Sequence, residues 1–136
     1  MYEIFDHTAD IGLRVRAEQL EQLFEEAGRG LMAALIDNPE DVQPIEGQTI
    51  RVEGRELDYL MVDWLSELLF LFEQEARVFA QFRVRIDEKG LTAAVRGERL
   101  DPDRHRVLQE IKAITYHNLK VEWQPGGWLA EIILDV

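Results

Sequence analysis

An α+β domain is predicted by two hydrophobic periods that divide this chain between them. Apolar residues recur at three-and-four spacing in two long stretches, the helical period, and at every second position in the runs around them, the strand period. Several strand-like runs follow one another across short turn signals, as antiparallel hairpins do. The expectation is a single domain with a mixed, largely antiparallel sheet and two helices packed on one face. A length of 136 residues fits one domain, and a 46% hydrophobic content is enough for a real core.

Tyr2–Phe5 reads as a short strand. Ile11, Leu13, Val15 and Ala17 then alternate with Gly12, Arg14 and Arg16, a half-buried strand. From Glu18 to Ile36, residues Leu20, Leu23, Phe24, Ala27, Leu31, Ala34 and Leu35 mark one face of a helix. Asp37-Asn38-Pro39 stops it. Residues 37–48 read as the longest loop, and Thr49–Val52 as a strand. Asp58–Ala76 is a second, very apolar helix, with Asp58 or Glu56 placed to support its start through the dipole.

Val78, Ala80, Phe82, Val84 and Ile86 alternate next, and Leu91, Ala93 and Val95 return after Asp87-Glu88-Lys89-Gly90, a hairpin. Leu100–Arg106 reads as a polar connection with His105 exposed. Ile111–Tyr116 reads as a strand, and Leu119, Val121 and Trp123 as another. Pro125-Gly126-Gly127 turns the chain into a last strand, Trp128–Leu134.

Composition excludes several classes. Cysteine is absent, so disulfides, thiolate metal sites and cysteine nucleophiles are out. No apolar run approaches the roughly 20 residues that span a bilayer, and no signal-peptide pattern is visible. No membrane association is expected, and a cytoplasmic location is the default. A net charge of −12 opposes general nucleic-acid affinity and favours a basic protein partner. Arg14, Arg16, Arg83 and Arg85 alternate on strand-like runs. The plain reading of them is a solvated sheet face paired with acids. Phosphate-binding glycine loops and Ser–His–Asp spacings are missing.

Polar residues gather in three places. His7-Thr8-Ala9-Asp10 links the first two strands. Asp135-Val136 ends the last one, adding a backbone carbonyl and a terminal carboxylate. Glu110-Ile111-Lys112-Ala113-Ile114-Thr115-Tyr116-His117 sets acid, base and imidazole in one segment. Carboxylates and main-chain oxygens suit a hard divalent cation, which takes six to eight oxygens when it is Ca²⁺. The alternative is that Asp10 caps a turn and Asp135 is a polar chain end. His7 and His117 each read as metal ligand, base or turn histidine. Glu110 and Lys112 read as either a functional pair or an ordinary ion pair.

These same segments, His7-Thr8-Ala9-Asp10-Ile11-Gly12, the Lys112–His117 block with Leu119 and Val121, and the ending Trp128…Ala130…Ile132-Ile133-Leu134-Asp135-Val136, resemble the archease family from end to end. The resemblance implies one archease-like domain over residues 1–136. Its implied role is that of a non-catalytic protein that activates the RtcB-type tRNA-splicing RNA ligase, promoting guanylylation of the ligase histidine and multiple turnover. It also implies a divalent cation at Asp10, Asp135 and Val136, Ca²⁺ foremost with Mg²⁺ or Mn²⁺ as alternatives. His7, Glu110, Lys112 and His117 would form the surrounding functional surface, without sequence-specific nucleic-acid binding. The competing class is a general chaperone or modulator of RNA-modifying enzymes. Asn118 stands where many relatives are expected to carry glycine, and asparagine tolerates the positive φ such a turn needs.

Overall fold

In the computed structural model, which describes residues 1–136, the chain opens with a hairpin of β1 (Tyr2–His7) and β2 (Asp10–Ala17), followed by helix α1 (Leu20–Leu35). A 3₁₀ turn (Pro39–Asp41) leads to β3 (Glu46–Glu53), helix α2 (Leu57–Glu75) and a second hairpin, β4 (Arg77–Asp87) and β5 (Gly90–Arg99). Three strands finish the chain: β6 (Ala113–Ile114), β7 (Lys120–Gln124) and β8 (Gly127–Asp135). The α+β class expected from the sequence holds. No helix is long and apolar enough to cross a membrane.

The strands are divided between two sheets rather than gathered in one. β1, β2, β8 and β6 lie in that order, with β7 also paired to β8, and β3, β5 and β4 form a separate three-stranded sheet. Every strand pairing is antiparallel. Both helices touch both sheets: α1 packs on β1, β2, β8 and β4, and α2 on β3, β4, β5, β6 and β7. A single cluster of 32 buried residues draws on both helices and on β2, β3, β4, β5, β6 and β8, with Tyr2 of β1 and Val121 of β7 packed against it, so the two sheets share one core and make one domain.

This sandwiching explains the composition of the helices. α1 buries Leu23, Phe24, Ala27, Leu31, Ala34 and Leu35, the face its period marks out. It also buries Gly28 and Gly30, where a Cβ would stand 2.9 Å from the Phe82 ring and 2.5 Å from a Leu13 methyl. The missing side chains let α1 approach a strand of each sheet at once. α2 is apolar on more than one face because it too is covered from more than one side: Leu60, Met61, Val62, Trp64, Leu65, Leu68, Leu69 and Leu71 are all buried.

Gly97 occupies the tightest point of the second sheet. It pairs with Phe79 beside an irregularity in β4, and a Cβ there would lie 1.9 Å from the Val78 carbonyl oxygen. That oxygen belongs to the backbone and cannot rotate away. Gly97→Ala is expected to cost about 2–3 kcal/mol, seen as a lower urea midpoint with an unchanged slope.

Three further sequence expectations change. β3 begins at Glu46, inside the expected loop, because β5 pairs with it from Glu46↔Gly97 onward. The strand expected over 111–116 shrinks to Ala113–Ile114, since β7 occupies the same edge of β8 from Lys120↔Glu131. His105 is buried, at 2% exposure, not exposed. Its Nδ1 accepts a hydrogen bond from the Asp101 N–H at 2.9 Å, and its Nε2 lies 3.3 Å from a Glu98 oxygen. The connection 100–106 folds over the end of β5 instead of looping into solvent.

Candidate functional site

Strand register brings the two ends of the sequence together. His7 pairs with Asp10 across the first hairpin. β2 and β8 pair as far as Ile11 opposite Leu134, and Asp10 and Asp135 are the next residues of these two strands. On the other side of β8, Ala113 pairs with Asp135, and the Lys112 N–H donates to the Asp135 carbonyl at 2.7 Å. The row therefore runs His7, Asp10, Asp135, Ala113. Directly opposed residues point to one face of a sheet, with Cα atoms about 4.5–5.5 Å apart. His7, Asp10 and Asp135 thus share a face at the end of the sheet, with Val136 one residue beyond.

The link that reverses β1 into β2 is only Thr8-Ala9, and Thr8 takes φ 49°. Positive φ is costly for a β-branched residue, on the order of 1–3 kcal/mol. The tight turn keeps His7 and Asp10 face to face.

Asp10, Asp135 and Val136 are all partly buried, and no ion pair engages either aspartate carboxylate. Like charges directly opposed across a strand pair repel. The buried Nδ1 of His7 also has no hydrogen-bond partner. Oxygen donors in this arrangement fit a divalent cation. The donor set would be two side-chain carboxylates, oxygens of Val136 and water, because no three His, Asp or Glu side chains converge into a closed cage.

The remaining residues divide. The His117 ring meets the His7 ring edge-on, with centroids 5.6 Å apart. Thr115, which the sequence did not mark out individually, holds this contact: its hydroxyl donates to the Ile133 carbonyl at 2.9 Å and accepts from the His117 N–H at 3.2 Å. Asn118 has φ 53°, the conformation expected of it. Lys112 reaches the site through its backbone, and its exposed ammonium has no acidic partner. Glu110 is an exposed loop residue that makes no ion pair, so the Glu110–Lys112 pairing is absent. Asp37 is engaged elsewhere, 2.7 Å from Arg106.

A groove of about 450 Å³ runs from His7 along the same face, past Phe5, Asn118, Lys120 and Glu131. Beside it, Arg14 bridges Glu3 and Glu131 and lies over the Phe5 ring. Tyr116, next to His117, packs edge-on against Tyr59, with both rings more than half exposed.

The chain is similar to known proteins along its whole length. The Archease protein family matches residues 2–136. Protein archease of Methanopyrus kandleri is 41% identical over 139 residues, covering 99% of each chain. That of Pyrococcus abyssi is 40% identical over 140 residues, covering 99% of this chain and 98% of its own. The solution structure of Methanobacterium thermoautotrophicum protein 1598 superposes with a TM-score of 0.85 at 31% identity, covering 99% of this chain and 98% of that one. A Thermotoga maritima crystal structure, described as an archease and possible chaperone, shares the fold with a TM-score of 0.69 at 23% identity. The chain belongs to the archease family.

Proposed function

We propose that this protein is a non-catalytic activator of an RtcB-type RNA ligase in the cytoplasm, promoting ligase guanylylation and repeated turnover through its acidic end. The observation that carries this reading is that Asp10 and Asp135 directly follow the last β2–β8 pair, Ile11↔Leu134, partly buried and without a cationic partner. Such a pair is unfavourable in isolation and favourable against positive charge.

Each residue has a physical part. Asp10 and Asp135, with Val136, would hold the divalent cation. Bound there, the ion would supply positive charge for nucleotide phosphate oxygens. His7 braces Asp10 across the hairpin, and His117 braces His7. The Lys112 N–H fixes the Asp135 backbone, leaving the Lys112 ammonium free to meet a phosphate. A surface of net charge −12 suits docking to the cationic cleft in which such a ligase holds RNA.

The test is multiple-turnover ligation with limiting ligase, GTP and metal, with and without this protein. Wild type is expected to restore turnover. Asp10→Ala and Asp135→Ala should lose at least about tenfold of the stimulation, since even residues that merely support a metal ligand are worth roughly 10–100-fold. Undiminished stimulation by both variants would refute the acidic site.

A second reading, a chaperone or modulator of RNA-modifying enzymes, is favoured by neighbouring exposed apolar residues, Val107 and Leu108. The Thermotoga relative is described as a possible chaperone. It predicts suppression of aggregation of unrelated proteins, insensitive to Asp10→Ala and weakened by Leu108→Ser.

A further inference from the structure

The outer face of the three-stranded sheet carries a charge opposite to that of the molecule. In register, its rows are Gln81, Arg96 and Gly47; then Arg83, Ala94 and Thr49; then Arg85, Thr92 and Arg51. Arg51, Arg83, Arg85 and Arg96 are exposed there, and none forms an ion pair. Arg96 is pinned by donating to the Pro44 and Ile45 carbonyls, and the other three are free. Within the sheet's own rows acids enter next at Asp87 and Glu53, where the hairpin ends; from α1, the Glu25 carboxylate accepts the Val84 N–H at the β4 edge at 2.8 Å without forming an ion pair with Arg83 or Arg85. A groove of about 400 Å³ opens along the β4 side, lined by Gln81, Arg83, Arg96 and by Arg29, which is itself paired with Glu26.

The contrast with Arg14 is informative. Arg14 alternates on a strand in the same way, yet lies between Glu3 and Glu131. In a chain with 27 acids and 15 basic residues, a face whose four arginines make no ion pair has a use for its charge. We propose that this face binds the sugar–phosphate backbone of an RNA strand without reading its sequence.

The residue types narrow the occupant. Arginine pairs with phosphate through two parallel N–H donors. Gly47, Thr49, Thr92 and Ala94 are small and keep the face open between the guanidinium groups. No aromatic ring lies exposed in these rows, so bases have nothing to stack on and phosphate contacts position the strand. An apolar anchor of the kind that centres a protein interface is also missing. The choice of RNA, rather than another phosphate polymer, rests on the ligase reading above. An activator that also holds the RNA backbone would keep the ligase near its substrate between turnovers.

The experiment is fluorescence anisotropy of a labelled single-stranded RNA with the protein alone, across a salt series. Three free arginines at roughly −0.7 per neutralised phosphate give an expected slope of log affinity on log salt of about −2. Arg83→Glu and Arg85→Glu should each weaken binding by about tenfold at low salt and flatten the slope, with unchanged thermal midpoints. Arg16→Glu, an equal charge change on the other sheet, should leave binding within about twofold of wild type. The proposal is overturned if wild type shows no salt-dependent binding, or if Arg16→Glu is as damaging as Arg83→Glu. It is also overturned if phosphatidylglycerol vesicles or polyglutamate displace the RNA and bind more tightly. Because the ligase is absent, this outcome is independent of the Asp10 test.

Discussion

Replacing Trp64 with alanine is expected to destabilise the protein by about 3–5 kcal/mol, the range for removing a fully buried aromatic. Trp64 has no exposed surface and lies midway along α2. Its indole N–H donates to the Phe24 carbonyl of α1 at 2.9 Å, and its ring meets the Phe82 ring of β4 edge-on at 6.3 Å. One side chain thus ties α2 to α1 and to the second sheet. Its loss removes apolar burial, opens a cavity that three separate elements cannot easily close, and abolishes the hydrogen bond. For a domain of this size the thermal midpoint should fall by more than about 10 °C. Trp64→Phe keeps much of the burial but not the N–H, and should cost roughly half as much. A loss below about 1 kcal/mol for Trp64→Ala would mean that the helices do not depend on each other through this residue.

The helices were legible because their signal is local. The expected 18–36 and 58–76 became Leu20–Leu35 and Leu57–Glu75. The hairpin of β4 and β5 was legible for the same reason, being two alternating runs joined by a turn. The division into two sheets was not, since alternation shows which residues face inward but not which strand lies beside which. Glu46 and Gly47 carry no apolar signal, and only pairing with β5 makes them strand.

The candidate site was legible as separate residues and not in its assembly. Asp10 and Asp135 stand at opposite ends of the chain, and only the β2–β8 register brings them together. In the sequence, their pairing came from the family resemblance rather than from spacing. Arg14 and Arg83 looked alike in one dimension, each a strand arginine at every second position. One met acids across its strands and the other did not, a difference made by neighbours far away in the chain. His105 misled for a related reason: the arginines on either side of it suggest solvent, while its partner Glu98 arrives from β5.

Glu98 yields the other large effect, and with it a pH dependence. Its carboxylate is buried at the end of β5, where it accepts the Gln43 N–H at 2.6 Å, pairs with Arg104 and faces His105. Burial alone would raise its pKa. The Gln43 N–H, Arg104 and His105 outweigh burial and hold it below the usual glutamate value. The folded-state pKa therefore lies below the unfolded one. The stabilisation is present in full above the unfolded value, about 4.3, and is lost as pH falls through the folded value. Glu98→Ala should cost about 2–3 kcal/mol at neutral pH. That is less than for a fully buried ion pair, because Arg104 is 39% exposed and regains water. Urea melts of wild type and Glu98→Gln from neutral pH to about pH 3 test the argument. The wild-type advantage should be greatest at neutral pH and shrink as the solution is acidified below the glutamate range. An advantage that stays constant with pH would mean that shape and hydrogen bonding, not charge, account for the role of Glu98. The residue also joins two loops, 37–45 through Gln43 and 100–106 through Arg104 and His105, so its protonation should release both together. The protection factors of the Gln43 and His105 amides should therefore fall in parallel on acidification, ahead of those in α2.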